Sequence, residues 1–143
     1  MPSFPHEYEV TLEGAVGGAW SDAPPRRPIL GGAPPEFGGR AGWWSPEHLL
    51  LSSLGLCFLE TYRALARAAR IEFTDYSSRV RGTLDKTPEG LRFVSFHLDV
   101  QLAVSGADGP RAEALLERAK KQCIVSNSLK VPIEVRGAVA AAA

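Results

Sequence analysis

Apolar residues crowd most densely over residues 49–59, LLLSSLGLCFL, inside a segment that reads as one long helix over residues 45–70. Ser45 followed by Pro46 is a strong helix start. A serine side chain caps orphan backbone N–H groups, and proline at the first helical position gives up a donor that had no partner. A helix that is apolar nearly all round has to be covered on every side, by sheet, helix or a second subunit. The run is eleven residues long, short of the ~20 needed to cross a bilayer. The pattern predicts a buried central helix, and Cys57 is the reactive side chain within it.

Upstream, residues 7–13 alternate, with Tyr8, Val10 and Leu12 on one face of a half-buried strand. The glycines of GAVGGAW then allow a bulge or a tight turn. Residues 21–44 hold five prolines and five glycines, which excludes a long helix. This stretch reads as a loop with a short extended piece at residues 27–30, ending at Trp43-Trp44. The two tryptophans either wall a pocket or pack over the helix end to shield it.

Downstream, residues 76–85 alternate again, Val80 and Leu84 against Arg79 and Arg81. DKTPEG supplies a turn, and residues 91–104 form a strand with Val94, Phe96, Leu98, Val100, Leu102 and Val104 on one face. Gly109-Pro110 opens a second helix whose stripe is Ala112, Leu115, Leu116 and Ala119, with Lys120 and Lys121 suiting the dipole of its last turn. Cys123, four residues after Ala119, continues the stripe and faces the core side. A last strand at residues 131–139 leaves an alanine tail expected to fray. The order strands, helix, hairpin, helix, strand is α+β.

The 143 residues read as one domain, residues 1–143, without internal repeats. Sixteen basic residues balance sixteen acidic ones, which argues against a nucleic-acid or membrane-surface partner. The opening MPSFPHEYEV has neither a basic n-region nor an apolar h-region, so the expected compartment is the reducing cytoplasm. There Cys57 and Cys123 are expected as free thiols or a redox pair. With three scattered histidines, His6, His48 and His97, they do not make zinc-ligand spacing. Neither a metal nor a cofactor is expected.

A buried cysteine is by default a small hydrophobe. Here each lies near hydroxyl-bearing or small residues, Ser52, Ser53 and Gly55 for one and Ser126 and Ser128 for the other. Cys57 follows Glu47 of Ser45-Pro46-Glu47 by ten residues, and Cys123 opens Cys123-Ile124-Val125-Ser126-Asn127-Ser128-Leu129. Together with Gly38-Gly39 before the helix, these motifs resemble those of the OsmC/Ohr family of thiol-dependent peroxidases. Ile124 stands where the family has proline.

The resemblance implies an antiparallel sheet packed on the central and second helices, in an intertwined homodimer. It implies a peroxidatic thiol at Cys57 and a resolving thiol at Cys123, acting on organic hydroperoxides. The reductant would be an external dithiol, a lipoyl protein or a small thiol. Burial among Leu54, Leu56 and Phe58 would raise the Cys57 pKa, so a cation has to offset it. In the family this is an arginine held by the helix-start glutamate, which Glu47 matches. No arginine occurs over residues 15–20, and Arg26, Arg27 and Arg40 are the nearby candidates. Trp43 and Trp44 are candidates for the substrate wall. At ~1.5 Å per residue Glu47 and Cys57 are roughly 15 Å apart on one helix, so the glutamate of each site would come from the partner. A non-catalytic small-molecule-binding module and a thiol redox sensor are the alternatives.

Overall fold

Val16 and Gly17 turn the first alternating segment back on itself, Gly17 taking the positive φ (84°) that a two-residue hairpin turn needs. The computed structural model describes residues 3–142, in two compact units that meet in sequence between Leu50 and Leu51. In the first, β1 (Thr11–Ala15), β2 (Gly18–Asp22) and β3 (Ile29–Gly31) form an antiparallel sheet in that order. The first strand starts at Thr11, not at residue 7, and Tyr8, Val10 and Leu12 are exposed. The partner arm explains it: Thr11 pairs with Asp22, and beyond lie Ala23 and Pro24-Pro25, which have no N–H groups to extend the ladder at the prolines. The short extended piece expected at residues 27–30 is β3, shifted to Ile29–Gly31.

Helix α1 runs from Pro46 to Ala69. Ser45, 1% exposed, caps it as expected: its Oγ accepts the His48 backbone N–H at 3.1 Å and shares a 2.6 Å hydrogen bond with His48 Nδ1. Only one face of the helix is buried, through Leu54, Phe58, Tyr62, Leu65 and Ala66. Leu56 is 60% exposed, so the single chain does not cover α1 on every side. At 24 residues α1 is also long and apolar enough to cross a bilayer by length and composition. Its buried stripe, however, is seated in the core of the second unit.

That unit pairs β4 (Phe73–Thr87) antiparallel with β5 (Gly90–Val104), and β5 parallel with β6 (Ile133–Ala141). A parallel pair needs a crossover, supplied here by α2 (Gly109–Gln122) and the short α3 (Ile124–Asn127). The α2 stripe of Ala112, Leu115, Leu116 and Ala119 is buried as the spacing predicts, and so are Phe96, Leu98, Val100, Leu102 and Val104 of β5.

Two expectations fail by local register. Thr83 pairs with Ser95 but Leu84 with Phe93, so Val94 is an extra residue that bulges outward. Phe93 takes the inward place, its ring 5.1 Å from Phe96. As far as Ala142, the last described residue, the alanine tail is paired: Ala138–Ala141 pair with Gln101–Val104, and the Ala142 N–H donates to Val104 O at 2.7 Å. A parallel ladder against a buried strand outweighs the weak strand propensity of alanine.

Candidate functional site: a buried thiol pair

Gly55 brings α1 down onto the sheet. A side chain there would meet Val80 Cγ2 of β4 at 2.9 Å, with Ser78 Oγ 4.0 Å away. Close approach at this point packs α1 against β4, and Cys57 follows two residues on, on a different face of the helix. From the other side, α2 ends at Cys123, which is fully buried. Its backbone N–H still closes onto Ala119 O at 2.9 Å, so the helix hands the sulfur to the core before α3 begins.

Both cysteines are free thiols, and Cys57 lies close enough to Cys123 to raise its pKa. Burial pushes the Cys123 thiol up to about 11. The amide groups of Ser126 and Val125 pull it down, while the hydrogen bond and charge of Cys57 add to the rise. At neutral pH Cys123 therefore keeps its proton. Cys57 is partly exposed. The arrangement is one accessible sulfur beside one dry, protonated sulfur, which is what a nucleophile and a second thiol waiting behind it require.

Two tyrosines that the sequence reading did not single out lie in the same unit. Tyr62, fully buried, donates its hydroxyl to Ala112 O of α2 at 3.1 Å, and burial raises its pKa. Tyr76 of β4 packs against Phe73 and Tyr62, with ring centroids 5.9 and 6.5 Å away, and lies within electrostatic reach of Cys123. Nothing in a single sequence distinguishes a strand tyrosine beside a thiol from an ordinary core aromatic.

The remaining candidates lie in the first unit. Trp44, Glu47, Leu49, Leu12, Phe37 and Pro46 line an apolar cavity of about 440 Å³. Trp43 does not share it with Trp44 as a paired wall; its ring instead carries the Arg40 guanidinium 4.8 Å from the centroid. The carboxyl oxygen Glu47 Oε2 is buried without a hydrogen-bond partner. Among the described residues no arginine forms an ion pair with Glu47, and Arg27 is exposed and unpaired. The cation that the resemblance calls for is thus not supplied to Glu47 within this unit.

Residues 39–136 match the OsmC family, described as OsmC-like protein. The chain belongs to the OsmC-like family. Over 98 residues it is 28% identical to the peroxiredoxin OsmC of Escherichia coli strain K12, covering 68% of each chain. Among solved structures, an OsmC-like protein of unknown function from Vibrio cholerae superposes with a TM-score of 0.85 at 16% identity, over 94% of this chain and 100% of that one. An OsmC-like protein from Mycoplasma pneumoniae gives 0.82 at 18% identity over 96% and 99%. An organic hydroperoxide resistance protein OsmC from Legionella pneumophila gives 0.72 at 23% identity over 96% and 99%. At these identities the structures establish the OsmC-like α+β fold. The family and its peroxiredoxin relative support a peroxide-detoxification role at the level of the family. The matched span contains Glu47, Cys57 and Cys123 and begins after Arg27.

Proposed function

We propose that the chain is a cysteine-based peroxidase that reduces organic hydroperoxides to alcohols. The observation that carries this is the pairing of Cys57, partly exposed, with Cys123, buried and held protonated, as neighbours whose titrations interact. The Cys57 thiolate attacks the terminal peroxide oxygen, the O–O bond breaks, and the alkoxide leaves as the alcohol after taking up a proton. Cys57 is left as a sulfenic acid, two electrons oxidised. Cys123 then attacks that sulfur, a disulfide forms, and hydroxide leaves with the Cys123 proton as water. An external dithiol, on a lipoyl protein or a small molecule, restores both thiols.

The working unit in this proposal is an intertwined homodimer in the cytoplasm, with neither nucleic acid nor membrane as partner. The exposed Leu56 on α1 and the unpartnered carboxyl oxygen of Glu47 favour it, because a second copy can cover the one and meet the other. Arg27, Arg40, Trp43 and Trp44 remain candidates for activating the thiolate or walling the substrate.

Single-turnover thiol loss with a bulky organic hydroperoxide tests the reading. Wild type is expected to lose both thiols, Cys123→Ser to stop at a sulfenic acid, and Cys57→Ser to be inert. Reaction of all three at the rate of an unactivated thiol rejects catalysis. That outcome would favour a small-molecule-binding module, for which the 440 Å³ cavity beside an unpaired Glu47 is the specific support. Oxidation of wild type without turnover would favour a thiol redox sensor.

A further inference from the structure

Residues 118–130 hold four basic residues, Arg118, Lys120, Lys121 and Lys130, and no acidic one, in a chain whose sixteen basic and sixteen acidic residues balance. All four are exposed, and among the described residues none of them forms an ion pair. Lys120 and Lys121 complement the dipole in the last turn of α2. That leaves Arg118, Lys130 and the lack of any neutralising acid without a structural reason. In the middle of the stretch Ile124 is 73% exposed, more than any other large apolar side chain described in the second unit.

Cys123 stands between Lys121 and Ile124 in the chain, fully buried while both of them are exposed. The backbone here is fastened. Asn127 Nδ2 donates to Lys121 O at 3.0 Å and the Asn127 N–H to Cys123 O at 2.9 Å, which ties α3 to the end of α2. Ser128 Oγ donates to Ile124 O at 2.9 Å. Lys120 and Ile124 are thus held on one short piece of chain, at most ~14 Å long. The cations are not directed at the thiol in their midst: burial holds Cys123 up to about 11, and what draws it down is the amides of Ser126 and Val125. Unneutralised charge turned to solvent steers a partner of opposite sign, and an apolar centre within a polar surround is the anatomy of an interface.

We propose that residues 118–130 dock an acidic protein domain that carries the external dithiol and delivers it to the oxidised thiol pair. The dithiol rests on the peroxidase reading; the acidic partner rests on the charge of this stretch and on Ile124. One thiolate of the carrier attacks Cys57, the partly exposed sulfur. The S–S bond to Cys123 breaks, and Cys123 takes up a proton. The second thiol of the carrier then attacks the mixed disulfide and releases Cys57 as a thiol. Two electrons and two protons pass to the cysteine pair, and the carrier is left as a cyclic disulfide.

The test starts from the full chain oxidised with diamide, so that it does not depend on reaction with a peroxide. Reduction is followed with dihydrolipoyl-hexaglutamate and dihydrolipoyl-hexaserine, two peptides that carry the same dithiol. The glutamate peptide is expected to react roughly tenfold faster at low salt. It should lose that advantage at about 1 M salt, where the Debye length is ~3 Å. Combining Lys120→Ser, Lys121→Ser and Lys130→Ser should remove the advantage as well, and Ile124→Ser should slow both peptides about threefold at either salt. All four side chains are exposed, so Tm should not fall. Equal rates for the two peptides, or an advantage that survives the lysine substitutions, overturns the proposal. So does suppression of the advantage by oligothymidylate at lower concentration than by acetyl-hexaglutamate of equal charge, which would make the stretch a nucleic-acid site. If diamide does not join Cys57 to Cys123, the proposal and the peroxidase reading fall together. A salt-sensitive preference for glutamate in a protein that peroxide does not oxidise upholds the acidic partner and overturns the peroxidase reading instead.

Discussion

The two halves of the chain treat their polar and apolar groups differently. In the second unit the large side chains of α1, α2 and β5 meet one another: Leu54, Phe58, Tyr62, Leu98 and Val100 are each no more than 2% exposed. Cys123 sits there in a dry setting, and Cys57 is partly exposed. In the first unit Tyr8, Leu12, Val16, Phe37 and Trp44 are all exposed, and the buried oxygen of Glu47 lacks a partner. The second unit closes its own core, while the first displays surface that a single chain leaves unused. Cys57 and Cys123 therefore lie within one unit, while the unpartnered carboxyl oxygen of Glu47 lies in the other.

The sharpest way to break this contrast is truncation of one aromatic in each unit. Phe58→Ala empties a site in the closed core and is expected to cost about 3–5 kcal/mol. Phe37→Ala removes a ring that is already 51% exposed and should change stability by less than about 0.5 kcal/mol. Urea unfolding of both variants checks this. A large loss at Phe37 in the absence of ligand would mean that the first unit is covered in solution.

The same contrast decides what was legible in the sequence. Period-3.6 and period-2 patterns found α1, α2 and β5 because their apolar residues are buried within the chain that carries them. Ala112, Leu115, Leu116, Ala119 and Cys123 all landed where the spacing put them. In the first unit the alternation of Tyr8, Val10 and Leu12 is equally regular, yet Tyr8 and Val10 lie before the ladder begins at Thr11, and Leu12, although paired with Ser21, stays exposed. The continuous apolar character of α1 likewise overstated what one chain can bury, since Leu56 faces out. Val94 failed for a local reason, because a bulge shifts register by one residue and periodicity carries no sign of it. Motif spacing singled out Cys57, Cys123 and Glu47, and the structure places the two thiols in the second unit and Glu47 in the first. Tyr76 and Gly55 depend on what β4 places against α1, a tertiary fact that no local pattern encodes.

Alkaline pH sharpens the comparison from the side of the closed core. Cys123 is held up to about 11 from an ordinary 9.0, and Tyr76 up to about 12 from 10.0, both chiefly by burial. Between the unfolded and folded values the native state binds more protons than the unfolded one, so stability falls as pH rises. The contribution of Cys123 is complete below about pH 9 and is lost by about pH 11, a change on the order of 2 kcal/mol. Denaturant unfolding from pH 8 to 11 should show this decline, and Cys123→Ser should flatten it. An unchanged slope in Cys123→Ser would mean that the sulfur is not held in a dry setting.

The smallest expected effect is at Glu47, and it bears most directly on the first unit. A carboxylate oxygen buried without a partner contributes nothing favourable to stability, because it gives up water and receives no hydrogen bond in return. Glu47→Gln keeps the shape and removes the charge, so Tm at neutral pH should stay within about 2 °C of wild type or rise slightly. The outcome differs if a cation reaches this carboxylate from a second copy of the chain. Removing one member of such a buried pair costs about 3–5 kcal/mol and would lower Tm well outside that range, with dissociation visible by sedimentation. Arg26, Arg27 and Arg40 would then be tested in turn by substitution with glutamine. The arginine whose loss adds nothing to Glu47→Gln would be its partner, since two residues acting through one interaction are not additive. Such a result would turn the open carboxylate of the first unit into half of an intersubunit pair.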